Sequence, residues 1–280
     1  MPMISVCCKK MKITVLIEDS SSRPGIAAEH GLSLYLETKK HRLLLDTGAS
    51  ALTLQNADAL GVDLTSVDTV VISHGHYDHA GGLLSFAERN PDAEIYLNAG
   101  ADGAFYHGEK YIGIDRKILN LPHLNPVSAP AYEIDGELTL FSAIGGRRLW
   151  PGGNLELTEE KDGVRVQDRF SHEQCLIVRE GEKTLLASGC AHNGILNILD
   201  RYRELTGGYP DAVVSGFHMI KKTGYDEADL AAIRQTADEL KDLPTVFYSG
   251  HCTGDLPFSV MKEILGEKLM KISAGDGFTV

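Results

Sequence analysis

A chain of 280 residues with 43% hydrophobic content can bury a sizeable core, as one large domain or two small ones. Its 27 basic and 39 acidic side chains leave a net charge of −12, a field that repels a phosphate backbone and argues against nucleic acid as a partner. No apolar run approaches the ~20 residues that cross a bilayer. Lys9, Lys10 and Lys12 interrupt the N-terminus before it can read as a signal peptide, so a cytoplasmic location without a membrane partner is expected; the oligomeric state stays open. Cys7, Cys8, Cys175, Cys190 and Cys252 are odd in number and hold no Cys-x-x-Cys pair, which argues for free thiols rather than a disulfide framework.

In chain order, residues 1 to 10 read as a frayed extension or upstream start of a single domain spanning 1–280, and Lys12 to Ile17 as the first strand. Gly31 to Glu37 and His41 to Asp46 read as a β-hairpin turning at Thr38, Lys39 and Lys40. Leu52, Leu54, Ala57 and Leu60 mark a helical stripe that Gly61 ends. Val67 to Ser73 is the next strand, Leu83 to Arg89 a short helix stopped by Asn90 and Pro91, and Glu94 to Asn98 a strand again. From Ala99 to about Arg169 the pattern weakens, with one clear strand at Leu138 to Ser142. So long an irregular stretch is usually functional or inserted, and residues 100 to 170 are expected to shape a substrate pocket.

Regularity returns with strands at Gln174 to Arg179 and Lys183 to Ser188, then an amphipathic helix from Asn193 with Ile195, Leu196, Leu199 and Tyr202 on one face. A strand at Asp211 to Ser215, a helix capped by Asp226, a strand at Thr245 to Ser249, a helix at Phe258 to Leu265 and a strand at Leu269 to Ile272 complete the chain. Two β-rich halves, each followed by helices, permit a pseudo-duplicated sandwich.

The chemistry concentrates after Val70, Val71 and Ile72, where His74, His76, Asp78 and His79 precede Ala80, Gly81 and Gly82. Imidazole and carboxylate suit borderline divalent ions, zinc foremost, with iron or manganese as alternatives. His74 and His76 can face one ion while Asp78 and His79 swing toward a second, so one turn can start two metal sites. A solvated, histidine-rich turn is the plain alternative, but strand, ligand cluster and glycines agree on one local structure.

Three further histidines follow strand-like runs: His192, His218 and His251 each come just after an apolar segment and a glycine. Strand ends converging on one cleft would place them together. Cys190, two residues before His192, reads either as a metal ligand or neighbour or as a small buried thiol, and Cys252 as structural. Asp46, ending an apolar strand, is suited to accept a hydrogen bond from a ligating imidazole. His30, His41, His107, His123 and His172 read as surface residues. Arg147 with Arg148, and Lys221 with Lys222, are the basic pairs that could hold a small anion.

Leu43-Leu44-Leu45-Asp46-Thr47-Gly48, the run from Ser73 to Gly82, and the late histidines together resemble the metallo-β-lactamase fold of binuclear metallohydrolases. The stretches around His30, Cys190 with His192, His218, and His251 with Cys252 and Gly254 are similar to a subgroup commonly described as dihydropterin ribofuranosylaminobenzene phosphate synthases or metal-dependent hydrolases. The resemblance implies an α/β (α+β) fold, a four-layer αββα sandwich, with His74, His76 and His192 holding one divalent ion and Asp78, His79 and His251 the other. Many relatives carry an aspartate that bridges the metals where this chain has Cys190, so the resemblance implies a second site that differs from theirs.

The implied function is a metal-dependent hydrolase acting on an ester, lactone or phosphoester of a small anionic metabolite. Asp78 and His218 are its catalytic residues, and Arg147, Arg148 and His218 bind substrate. A transferase of pterin biosynthesis and a non-catalytic metal or ligand sensor are the alternatives. A flavin-partnered iron redox protein is disfavoured because no flavin domain follows.

Overall fold

Leu43, Leu44 and Leu45 are all fully buried, although side chains on a strand point alternately to opposite faces. Such a strand needs a covered surface on each side. In the computed structural model, which describes residues 10–280, Leu43 and Leu45 enter one hydrophobic cluster and Leu44 another. The same division separates Val71 from Val70 and Ile72, Leu185 and Ala187 from Leu186, and Ala212 and Val214 from Val213. Cys7, Cys8 and most of the expected N-terminal extension lie outside the described residues.

The first half of the chain runs β1 (Lys12–Ile17), β2 (Ser33–Glu37), β3 (Arg42–Leu45), α1 (Leu52–Leu60), β4 (Thr69–Ile72), α2 (Tyr77–Ala80), α3 (Leu83–Arg89), β5 (Glu94–Asn98), β6 (Ala104–His107), β7 (Lys110–Tyr111) and β8 (Leu124–Val127). The remainder is β9 (Ala131–Glu133), β10 (Leu138–Phe141), β11 (Leu157–Lys161), β12 (Val164–Gln167), β13 (Cys175–Glu180), β14 (Lys183–Ala187), α4 (Ile195–Thr206), β15 (Ala212–Val214), α5 (Glu227–Lys241), β16 (Val246–Ser249), α6 (Asp255–Leu265), β17 (Leu269–Lys271) and β18 (Gly277–Thr279).

Two seven-stranded sheets, ordered β18-β1-β2-β3-β4-β5-β8 and β17-β16-β15-β14-β13-β10-β9, form the interior. Each has an antiparallel part and a parallel part, so the halves repeat one plan. One core lies between the sheets; a second joins the outer face of one sheet to α1 and α3, and a third joins the other sheet to α4, α5 and α6. The result is an αββα sandwich.

Asp226 caps α5 through a reciprocal pair in which Asp229 N donates to Asp226 Oδ1 at 2.8 Å and Asp226 N donates to Asp229 Oδ2 at 3.1 Å. Helix α6 starts three residues before the expected Phe258, because Pro257 is tolerated in a first turn, where its missing N–H has no intrahelical partner.

The reading of residues 100 to 170 as irregular is corrected. They contain strands β6 to β12, of which β12, β11, β6 and β7 form a separate four-stranded sheet. These strands escape detection because they lack a continuous core face: β7 and β12 are exposed along their whole length.

Five strands, β3, β4, β14, β15 and β16, deliver their C-terminal ends to one region. The pairs β3–β4, β14–β15 and β15–β16 are parallel, and chain turns outside the carboxyl ends of such strands are the usual place for ligand sites.

Candidate metal centre

Asp46 leaves β3 with φ of 60°, a left-handed conformation that few non-glycine residues adopt, and its side chain is fully buried. Its Oδ1 accepts Ser73 N at 2.7 Å, and its Oδ2 accepts both Ser73 Oγ and His79 Nδ1 at 2.7 Å. The single Ser73 hydroxyl proton is thereby committed, so Ser73 Oγ receives the Nδ1 proton of His74 at 2.8 Å. Both imidazoles are left with an Nε2 lone pair turned away from Asp46.

The second half supplies matching groups. Asn154 donates its amide N–H to the His192 carbonyl at 2.7 Å, which leaves its Oδ1 to accept His192 Nδ1–H at 2.9 Å. His192 Nε2 then stands 3.2 Å from His74 Nε2. The Phe170 ring stacks on His192 with centroids 4.3 Å apart, and buried Glu173 accepts His192 N and Asn193 N at 2.6 and 2.9 Å. His251 donates Nδ1–H to Asp19 Oδ1 at 2.6 Å. Its Nε2 is buried without a hydrogen-bond partner, as is His76 Nε2.

These contacts define two groups of donor atoms. Atoms of His74, His76 and His192 lie within 4.8 Å of one another. In the other group, Asp78 Oδ2 lies 3.7 Å from His79 Nε2 and 3.6 Å from His251 Nε2. Cys190 Sγ, buried between the groups, is 3.1 Å from His79 Nε2 and belongs both to a cluster with His74 and to one with His192 and His218.

Burial, reinforced by the neighbouring imidazoles, holds the pKa values of His74 and His192 well below the usual histidine value. Burial takes His76 down to about 3. Those three rings stay neutral, as ligation requires. Burial opposes ionisation of Asp78, but the surrounding histidines outweigh it and bring that carboxyl to about 2. His79 and His251 are raised instead, the pull of Asp46 and Asp78 on the first, and of Cys252, Asp19 and Asp78 on the second, exceeding the cost of burial. Neutral nitrogens in one group, and a carboxylate with nitrogens and a sulfur in the other, fit borderline divalent ions. The facing Nε2 lone pairs of His74 and His192 suit a cation held between them.

A cavity of about 170 Å³ opens on this cluster. His218, half-buried and with φ of 46°, lines it; its ring lies 4.1 Å from that of His192. Tyr77, Ile112, Leu157 and Ile220 form an apolar wall, while Lys110, Lys222 and His107 supply positive or proton-bearing groups.

Several surface assignments made from sequence are corrected. His172 is 1% exposed: its Nδ1 accepts Gly75 N at 3.0 Å and its Nε2 donates to Asp168 Oδ2 at 3.2 Å, which braces the His74 turn. His30 is exposed but faces the cluster, with Nδ1 2.9 Å from Asp19 and Nε2 3.5 Å from Asp78. His41 is bound between Asp68 and Asp135, and His107 pairs with Glu156 at 2.9 Å; His123 is exposed beside Glu94. Cys252, read as structural, lines the cavity. No local pattern marks these residues, because their partners are distant in the chain.

Arg147 and Arg148, expected to bind substrate, do not line this cavity. Arg148 pairs with Asp200 of α4 and Glu239 of α5, while Arg147 lies over the Trp150 ring at 4.5 Å. Lys221 pairs with Asp229 at 2.5 Å, which leaves Lys222 as the member of that basic pair at the cavity. Among the described residues no helix is long and apolar enough to cross a membrane.

The family model described as the metallo-beta-lactamase superfamily matches residues 27–251. An uncharacterised protein of Methanocaldococcus jannaschii, MJ0448, is 30% identical over 85% of this chain and 90% of its own length. The 7,8-dihydropterin-6-methyl-4-(beta-D-ribofuranosyl)-aminobenzene-5'-phosphate synthase of the same organism is 27% identical, with 95% of each chain covered. The crystal structure of Tm1679, described as a metal-dependent hydrolase of the beta-lactamase superfamily, superposes with a TM-score of 0.82 at 34% identity, covering 96% of this chain and 99% of that one. With the αββα sandwich, the histidine cluster at its edge and these matches in agreement, the chain belongs to the metallo-β-lactamase superfamily.

Proposed function

We propose that the protein is a metal-dependent hydrolase of a small anionic metabolite, cleaving an ester, lactone or phosphoester bond. The observation that carries this reading is the assembly of His74, His76 and His192 beside Asp78, His79 and His251, four of which (His76, Asp78, His192 and His251) line a cavity that also carries Lys110, Lys222 and the His107–Glu156 pair. These residues would hold one or two divalent ions, with zinc the best match to a donor set dominated by imidazole. Such an ion supplies Lewis acidity and the means to acidify water near neutral pH.

The chain's own groups divide the remaining work. Asp78 keeps its carboxylate ionised against burial and so remains available as a ligand. His218, in the cavity wall beside His192, is placed to donate a hydrogen bond to charge developing on the substrate oxygen. Tyr77, Ile112, Leu157 and Ile220 give the cavity an apolar wall against which the uncharged part of a substrate could pack. Lys110 and Lys222, rather than the arginines, would hold the anionic group.

Asp78→Ala tests the proposal: it should abolish turnover of ester, lactone and phosphodiester panels and lower bound metal. Full activity in that variant would refute the mechanism. Similarity to the dihydropterin synthase of Methanocaldococcus jannaschii supports a second reading, a transferase joining a pterin to an aminobenzene ribose phosphate. Product formation from the two half-substrates, with no hydrolysis of any of the three panels, would favour it.

A further inference from the structure

Of the three cysteines described, Cys175 behaves as a buried thiol ordinarily does. It lies on β13 inside an apolar cluster, with Ser188 Oγ as its hydrogen-bond partner at 3.5 Å. Cys190 and Cys252 are equally buried, each 2% exposed, yet both line the cavity. They follow different strands, β14 and β16, and their sulfurs meet: Cys190 Sγ, Cys252 Sγ and a His251 nitrogen lie within 4.8 Å of one another. The fold makes room for this, since a Cβ on Gly216 would stand 2.4 Å from Cys252 Sγ.

We propose that Cys190 and Cys252 act as paired thiolate ligands of the ion associated with Asp78, His79 and His251, so that the second site is sulfur-rich and selects a borderline or soft divalent ion. The inference rests on the metal-centre reading above. Cys190 Sγ at 3.1 Å from His79 Nε2 shares the space in which that imidazole's lone pair points. Its membership of clusters on both sides places it where one sulfur reaches either ion. Cys252 adds a second sulfur from the C-terminal end of β16, its thiol donating to the Cys190 carbonyl at 3.6 Å.

In the binding step each thiol S–H is lost as a sulfur–metal bond forms, so two protons leave for solvent and no electrons are exchanged. Thiolates disfavour magnesium, calcium and manganese and favour zinc, cobalt and iron. A plain packing role for the pair predicts no sulfur–metal bond and no such selectivity.

Cobalt(II), added to the full-length reduced protein, is the probe. Elemental analysis gives the cobalt bound, and near-ultraviolet absorption gives the sulfur-to-cobalt charge-transfer band. The wild type should show that band; Cys190→Ser and Cys252→Ser should each remove about half of it and the double variant all of it, with zinc affinity falling at least tenfold. Cys175→Ser should leave it unchanged. X-ray absorption on the zinc-loaded wild type counts sulfur neighbours without mutation and covers the case in which a variant fails to fold. Bound cobalt with no sulfur band, or a band that survives both substitutions, overturns the thiolate assignment alone. Failure to bind cobalt or zinc at all overturns the metal-centre reading together with it.

Discussion

His74 Nε2 and His192 Nε2 stand 3.2 Å apart, and neither carries a proton, because Ser73 and Asn154 hold both Nδ1 hydrogens. Two lone pairs at that separation in a buried site repel unless a cation lies between them. Chelation should therefore destabilise the fold. If the ion is present at about 100 times its Kd, its removal costs about 2.7 kcal/mol, or a fall in Tm of about 5 to 10 °C for a chain of this size. Calorimetry before and after chelator treatment checks this; an unchanged Tm on loss of measured metal would contradict it.

Asp46 contacts no cavity, yet its substitution should empty the site. Asp46→Asn is nearly isosteric, but whichever way the amide turns, one of its N–H groups faces another N–H of Ser73 or His79. In one orientation His79 loses the acceptor that fixes its tautomer; in the other the Ser73 N–H, which anchors the turn carrying His74, loses its own. Metal affinity should fall about 10- to 100-fold while the chain remains folded, as equilibrium dialysis and circular dichroism will show.

Lys110 and Lys222 at the cavity give a prediction about selectivity. Lys110→Ala with Lys222→Ala should raise KM for an anionic substrate about tenfold, while kcat stays within about twofold, because the lost contacts lie away from the reacting bond. A neutral ester should show no change. Arg148→Ala is the contrasting variant: its partners are Asp200 and Glu239, so KM should not move. Equal KM effects from the arginine and the lysines would refute the assignment.

Much of this arrangement is legible in the chain itself, for identifiable reasons. His74 to His79 and the strand before them are local, and the runs ending at His192, His218 and His251 announce strands by composition. The four-stranded sheet is not legible, since strands such as β12 bury no continuous face. Nor are the roles of Asn154, His172 and Cys252, each set by a partner brought near only by folding: Asn154 holds His192 from 38 positions away, and His172 reaches Gly75 from 97. Nor does the sequence show that Arg148 will meet Asp200 of α4 and Glu239 of α5, since both lie far along the chain from it.

Stability should also depend on pH at the end of the sandwich away from the metal centre. There His41 of the β2–β3 hairpin lies 2.8 Å from both Asp68 and Asp135. Burial lowers the His41 pKa, but the hydrogen bonds to the two carboxylates raise it by more, so the net value lies above normal. A group raised on folding stabilises fully below its unfolded value of about 6.5, and the benefit fades as pH rises through the folded value. Asp135 is shifted down, chiefly by Lys40 and His41 against the effect of burial, so its share is present above about pH 4 and is lost on acidification. His41→Asn should therefore cost about 0.5 to 1 kcal/mol near pH 5.5 and progressively less in alkaline solution. Urea titrations across pH test the trend, and a constant deficit from acid to alkaline pH would disprove it.

The pairing of His74 with His192 spans 118 residues. At about 5 to 20 residues per second, a ribosome needs about 6 to 24 seconds to travel from one to the other. For that interval the His74 turn emerges as an incomplete claw, able to grip an ion only loosely, and the right metal gains no advantage over a wrong one. Faithful loading thus belongs to the finished chain, where the two halves of the sandwich close on the ion together.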